Sequence, residues 1–399
     1  KTFLKTRLQS LAQSTNLSPL ICFFVSLPDI GKFSIRFQNL VPDLLKLLQD
    51  RKSNLPYSKE FHHSRMGFLL WQDTLLNQFL DGTIFNFQIS PSNLRHLLNP
   101  LFSAVTGHHG RPPNQETISA ITLFESQDLD AATEFVRDMA NFFVVQEDLL
   151  PLLETSQQRL ETTTRFSFVL AGLTILCDWI GSDERYFGLH PDNELTLARY
   201  YNDYAIPSAI KAVENSGVVE ATTNTKASFF DLFPGIITQT PLQSFTEQLP
   251  ISSQPNLYIF EDMTGSGKTE AALNAAHKII SSGGGESIYW ALPTMATANA
   301  MYERMSSSYL NLFENDFQPS LVLSHSARHL MDSFQESIGL ENIRPTDKEQ
   351  EEDSGQAQCA AWLADNKKKA FLASIGIGTV DQALLSVLPS NHQALRLLG

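Results

Sequence analysis

The sequence runs to 399 residues, 42% hydrophobic and 18% charged, which allows two or three cored domains and excludes a disordered chain. Its net charge of −14 excludes a uniformly basic nucleic-acid binder, while leaving room for a local positive groove. Three cysteines (Cys22, Cys177, Cys359), odd in number and without a CxxC pair, exclude a disulfide framework and point to reduced thiols in a cytoplasmic setting. The apolar runs at 20–25 and 168–177 stop short of the ~20 residues that span a bilayer, so no membrane partner is expected. Lys1 stands where Met would open a chain, and the expectation is a natural N-terminus further upstream.

From residue 1 to about 185, Leu and Phe recur at spacings of three and four, as in LVPDLLKLL (40–48), 66–80 and 133–152. That period predicts an all-α domain. Near its start stands SLPDIGKFSIRFQ (26–38), where Pro-Asp-x-Gly alone is ordinary turn chemistry. Asp29 becomes a candidate ligand only if partners occur elsewhere. FHHSRMG (61–67) and TGHHGRPP (106–113) each carry a histidine pair, the second bracketed by Gly107 and Gly110 and therefore placed at a helix end. LAGLTILCDWIGS (170–182) sets Asp178 in an apolar helix, where an unpaired charge costs several kcal/mol. For any one of these histidines a packed or surface role is the ordinary reading. Taken together, Asp29, His63, His108, His109 and Asp178 form an N/O donor set that suits Mn²⁺, Fe²⁺, Co²⁺ or Ni²⁺. A pair of such ions would clamp the attacking and leaving oxygens of a phosphodiester.

Residues 186–230 lose clear periodicity and form a candidate linker. Beyond 231 short apolar runs alternate with helical stretches: NLYIFED (256–262), EAALNAAHKII (270–280), SIYWALP (287–293), LVLSH (321–325) and AFLASI (370–375). Strands alternating with helices predict a parallel sheet covered on both faces, an α/β domain over 231–399. Between the first run and the first helix lies DMTGSGKT (262–269), a phosphate-binding loop in its required context. Thr264, Gly265, Ser266 and Gly267 would wrap backbone N–H groups around phosphates, Lys268 would neutralise them, and Thr269 would hold Mg²⁺. Asp262 occupies the position where the strict motif has Gly. TPLQ (240–243) lies upstream. LPTMATANAMYERM (292–305) and IGIGTVDQALL (375–385) place Thr and Gly at strand ends, where they could offer donors to a nucleic-acid backbone. Each is also readable as a plain βα turn. The acidic run DKEQEED (347–353) reads as a solvated loop.

In this order the motifs DIGKFSIRFQ, H-x-x-x-G, GHHGRPP, LAGLTILCDWIGS, TPLQ, TGSGKTEAAL, LPTxATAN and GTVDQALL resemble the CRISPR-associated helicase–nuclease family of type I systems, over nearly all of the chain. The resemblance implies an all-α HD phosphohydrolase domain (1–185) that cuts single-stranded DNA with transition metals, followed by a RecA-like helicase domain (231–399) driven by ATP. It also implies recruitment to a guide-RNA surveillance complex that has opened target DNA. Residue by residue, Asp29 would be the aspartate of the His-Asp pair, Lys32 the lysine that follows it, and His63, His108, His109 and Asp178 the remaining ligands. Ser182 would touch phosphate, Gln243 would read adenine, and Thr294, Thr297 and Thr379 would contact the strand. Two departures stand out. Pro28 occupies the place of the pair's histidine, so one ion would lose a ligand and cutting would be impaired. The 399 residues also stop before the family's acidic Mg²⁺ box, from which the expectation is negligible DNA-stimulated ATPase by this stretch alone. Two alternatives remain: a nuclease-impaired DNA motor or recruitment module in which Pro28 has left only the scaffold, and a different HD hydrolase with an unrelated nucleotide-binding partner.

Overall fold

The computed structural model describes residues 17–54, 62–84, 90–113, 118–143, 157–188, 195–218, 221–252, 254–314, 319–328, 331–338, 361–364, 366–388, 390 and 392–398. The readings at 347–353 and Cys359 lie outside them. The chain divides into two compact units, Thr2–Trp179 with Pro389–Leu398, and Ile180–Leu388.

The first unit is helical. Its longer helices are α1 (Ser18–Val25), α2 (Pro42–Gln49), α3 (His63–Leu70), α4 (Pro91–Thr106), α5 (Ser126–Phe143) and most of α6 (Gln157–Gly181). Proline opens α2 and α4 at the first turn, where its missing N–H costs nothing and its fixed φ favours the helix. The core is aromatic: Trp71 stacks on Phe102 with ring centroids 3.5 Å apart, and Phe24 meets Phe102 edge-on at 5.3 Å. The buried Trp71 indole N–H donates to Asn99 Oδ1 at 3.0 Å. Within α6 the 19-residue stretch Thr163–Gly181 has a mean hydropathy of 1.3, apolar enough by composition to cross a membrane. Phe166, Leu170 and Ile175 on it are buried in the protein, while Phe168 is exposed.

Between α1 and α2 a 3₁₀ turn, Ile30–Phe33, follows Asp29. Its exit is pinned by the start of α5. Buried Asp128 accepts Ile35 N–H and Glu125 N–H, both at 2.9 Å, and pairs with Arg51 at 2.7 Å. The Ser34 hydroxyl donates to Leu123 O at 2.6 Å.

The second unit contains α7 (Ile206–Asn215), α8 (Pro241–Gln248), α9 (Lys268–Ser281), β1 (Ile288–Leu292), α10 (Met295–Ser306), β2 (Leu321–Ser324), β3 (Ile375–Thr379) and α11 (Val380–Val387). The three strands are parallel in the order β1-β3-β2, with Ile375 opposite both Ile288 and Leu321. Every residue of β3 is buried, as befits a central strand flanked on both edges. The stretch read as a linker carries α7, and Thr223 bridges Phe313.

Two strand expectations need correction. NLYIFED forms no strand: Leu257 and Ile259 are 86% and 79% exposed, and no ladder partner pairs with the run among the described residues. An apolar run needs neighbouring backbone to become a strand, and the described residues supply none here. AFLASI instead begins in the last three residues of a 3₁₀ helix, Lys367–Leu372, and the strand starts only at Ile375. The last helix, α12 (Gln393–Leu398), belongs to the first unit, where the Ala394 carbonyl sits where Gly172 would carry a Cβ.

Candidate metal centre and nucleotide loop

Asp29 and His63 approach because two backbones touch. A Cβ on Gly31 would overlap the His63 carbonyl oxygen and lie 2.6 Å from Gly67 N, so the 3₁₀ turn after Asp29 lies flat against the first turn of α3. The glycines of DIGK and H-x-x-x-G are therefore one contact seen from two sides. Asp29 Oδ1 is 3.3 Å from His63 Nε2 and 3.8 Å from His108 Nε2, while its Oδ2 takes Lys32 Nζ at 2.8 Å.

His108 and His109 come from the turn that ends α4. Gly107 has no space for a side chain, since a Cβ would meet Ser103 O and Pro112 Cα. Gly110 takes φ +106, and its carbonyl accepts His392 N–H at 3.2 Å. The His392 ring lies 5.4 Å from that of Trp179, so the segment ahead of α12 braces the ligand turn from behind. His108 Nδ1 lies 3.0 Å from Val105 O, and as the donor there it leaves Nε2 a bare lone pair. His109 Nε2 is 2.8 Å from His63 Nε2, one proton shared between two rings.

The donor set fits a divalent cation. Asp29 Oδ1 and His108 Nε2 are both buried and without a hydrogen-bond partner, each facing the same space as His63 Nε2. Burial, with the charges of His62 and His109, holds the His63 imidazole well below its usual range. Partial burial, His108 and His62 hold His109 down to about 4. Both rings are thus neutral at pH 7, the form that ligates. Two groups have ligand atoms all within 4.8 Å of one another, Asp29–His63–His108 and His62–His63–His109. Asp178, half-buried near the end of α6, falls outside both groups. Its carboxyl is pushed up by burial first; the His108 charge opposes this, Asp29 adds to it, and Lys32 opposes it again, which places it in the field of the same pocket. Ser182 lies exposed in the turn after α6. His62, which completes the second group, is not among the residues that the sequence singled out. It stood in the quoted FHHSRMG, but no spacing rule separates it from its neighbour.

In the second unit Gly265 and Gly267 adopt φ +83 and +80, the left-handed geometry that the loop TGSGK needs, and Lys268 opens α9. Lys268 Nζ donates to the carbonyls of Asp262 (2.7 Å) and Met263 (2.6 Å), folded into its own cradle. Thr264 is exposed on the rim, with Gly265 and Ser266 following it. Thr269 Oγ1 accepts from Arg304 Nη1 at 3.2 Å, and Arg304 also pairs with Glu270. Gln243 is buried: its Oε1 accepts Thr240 N–H at 2.9 Å in the α8 capping box, and its amide N–H₂ reaches Gly267 O at 3.4 Å. It braces the loop from beneath. Thr294 and Thr297 form the capping box of α10, and Thr379 is buried with its hydroxyl donating to Asp381 at 3.3 Å. Gly376 and Gly378 have a local purpose too, since a Cβ on either would strike the Tyr289 side chain across β1.

Residues 1–187 match the family model described as Cas3, HD domain. The chain is 33% identical over 398 residues to the CRISPR-associated endonuclease/helicase Cas3 of Escherichia coli (strain K12), covering 95% of this chain and 42% of that protein. It is 32% identical over 306 residues to the same-named protein of Thermus thermophilus, covering 75% and 32%. A crystal structure of T. fusca Cas3 with ADP matches with a TM-score of 0.69 at 23% identity, over 99% of this chain and 41% of that one, a likeness of fold. The chain thus spans less than half the length of these relatives.

Proposed function

We propose that this chain, which belongs to the Cas3 family of CRISPR-associated helicase–nucleases, supplies the metal-dependent DNA-cutting and ATP-binding parts of an interference enzyme. Its substrate in this reading is single-stranded DNA, displaced where a guide-RNA surveillance complex has opened the target. Heteroduplex exchange there is close to balanced, so an ATP-driven motor makes opening irreversible. The observation that carries the proposal is the convergence of Asp29, His63, His108 and His109, with Asp29 Oδ1 and His108 Nε2 buried and unsatisfied.

Those four residues would hold a transition-metal ion (Mn²⁺, Co²⁺, Ni²⁺ or Fe²⁺), with Asp178 bordering them. A bound ion supplies Lewis-acid charge and a water of lowered pKa. Lys32 fixes the Asp29 carboxylate through Oδ2 and keeps Oδ1 turned to the imidazoles. His108 is locked by Val105 O, so its Nε2 needs no reorientation. Ser182, Thr294, Thr297 and Thr379 are the proposed strand contacts, and DNA would have to compete with the capping box of Thr294 and Thr297 and with the hydrogen bond from Thr379 to Asp381. On the nucleotide side Lys268 exchanges two loop carbonyls for phosphate oxygens, Thr269 serves Mg²⁺, and Gln243 holds the loop to which the nucleotide binds.

Pro28 favours a second reading, a nuclease-impaired motor or recruitment module, because proline offers no nitrogen to a metal. Metal content and Mn²⁺- or Ni²⁺-dependent cutting of single-stranded DNA separate the two. Two bound ions with cutting support the nuclease. One ion or none without cutting, and a gain of cutting in Pro28→His, support the impaired form. Absence of both metal binding and nucleotide binding would refute the proposal.

A further inference from the structure

We infer that His62 is a metal ligand of this centre, an imidazole supplied by the start of α3 where Pro28 supplies none. The inference rests on the metal-centre reading above. A ligand atom of His62 lies within 4.8 Å of those of His63 and His109, a trio that needs neither Asp29 nor His108. Its ring centroid is 4.1 Å from that of His63 and 4.5 Å from that of His109, the latter edge-on with planes at 89°. Three imidazoles from two separate elements therefore face one space.

The His62 backbone favours this placement. It is the N-cap of α3, with φ −59 and ψ 143, so its side chain points back across the helix start. Its Nδ1 accepts Ser64 N–H at a long 3.4 Å and lies 3.2 Å from Ser64 Oγ. With Nδ1 engaged at the cap, ligation falls to Nε2. The proton then moves from Nε2 to Nδ1, and Nδ1–H donates to Ser64 Oγ instead of accepting from Ser64 N. One weak contact is exchanged for another, with no net proton gained or lost. The serine becomes the outer partner that metal-bound imidazoles ordinarily have.

His63 limits what the two trios can do together. Its Nε2 faces both Asp29 Oδ1 (3.3 Å) and His109 Nε2 (2.8 Å), and an imidazole nitrogen carries a single lone pair. An ion seated on His63 Nε2 thus draws on a common shell, in which His62 replaces the missing nitrogen.

The test uses the full chain, titrated with Ni²⁺ by calorimetry and loaded with Cu²⁺ for pulsed EPR, which counts coordinated imidazoles. His62→Asn is the variant of choice, because asparagine keeps a side-chain acceptor for Ser64 N–H and removes only the imidazole. His62→Gln is its companion should the first unfold. The expected result is Ni²⁺ binding at least tenfold weaker than wild type, one imidazole fewer in the Cu²⁺ spectrum, and an unchanged unfolding midpoint without metal. Wild-type affinity and spectrum in the variant would overturn the role of His62 and leave the metal centre standing. Weaker binding with an unchanged imidazole count would overturn it as well, because His62 would then act through the fold. A wild-type chain that binds neither ion would overturn the metal-centre reading itself.

Discussion

Gly31→Ala tests how the centre is built. A Cβ at position 31 would overlap the His63 carbonyl oxygen and come within 2.8 Å of the carbonyl carbon and 2.6 Å of Gly67 N. All three are backbone atoms, so no side chain can rotate away, and α3 must separate from the 3₁₀ turn by about 1 Å, the kind of overpacking that costs roughly 1–3 kcal/mol. The metal centre should suffer more than the fold. Asp29 rides on one side of this contact and His63 on the other, and coordination tolerates only ~0.2 Å of error. A displacement of that size opens the 3.3 Å approach of Asp29 Oδ1 to His63 Nε2. Urea unfolding should show a loss of about 1–3 kcal/mol, and calorimetric Mn²⁺ binding should weaken by more than tenfold. Gly67→Ala is the internal control. Its Cβ meets Gly31 N and Ile30 Cγ1 at 3.2 Å, a strain of a few tenths of an ångström, offset by the ~0.5–1 kcal/mol that alanine gains over glycine inside a helix. Wild-type Mn²⁺ affinity in Gly31→Ala, or equal damage in the two variants, would refute this account of the site.

Three further outcomes can be measured. His63 and His109 have folded pKa values below their unfolded ones, so the unfolded chain binds more protons as pH falls from about 6.5 toward 4, and metal-free stability should decline through that window. A flat unfolding midpoint from pH 7 to 4.5 contradicts a neutral pair with lowered pKa values. Asp128→Ala removes one of the two carboxylates that Arg51 pairs with and strands two backbone N–H groups, and should lower unfolding free energy by about 2 kcal/mol or more in denaturant titrations. Gly267→Ala forces a side chain onto the Gln243 amide at φ +80, and should abolish ATP binding in a fluorescence-nucleotide titration while the metal centre binds as before.

The nucleotide loop was legible in the linear sequence because its physics is local. Two glycines with left-handed backbone and a lysine opening a helix are all contained in TGSGK, and distant packing adds the braces from Gln243 and Thr240. The helical period of LVPDLLKLL, which forms α2, was local in the same way. Strands were not. The same kind of short apolar run gave β1 in SIYWALP and no strand in NLYIFED, since a strand exists only where another backbone satisfies its N–H and C=O groups. Composition marked a set of possible ligands, yet it could not rank His62 against His63, or separate Asp178 from the rest. Those choices belong to the tertiary structure. Asp29 and His108 lie 79 positions apart in the chain, and only the flush contact of Gly31 with α3 and the braced turn at Gly107–Gly110 bring their unpaired atoms to 3.8 Å.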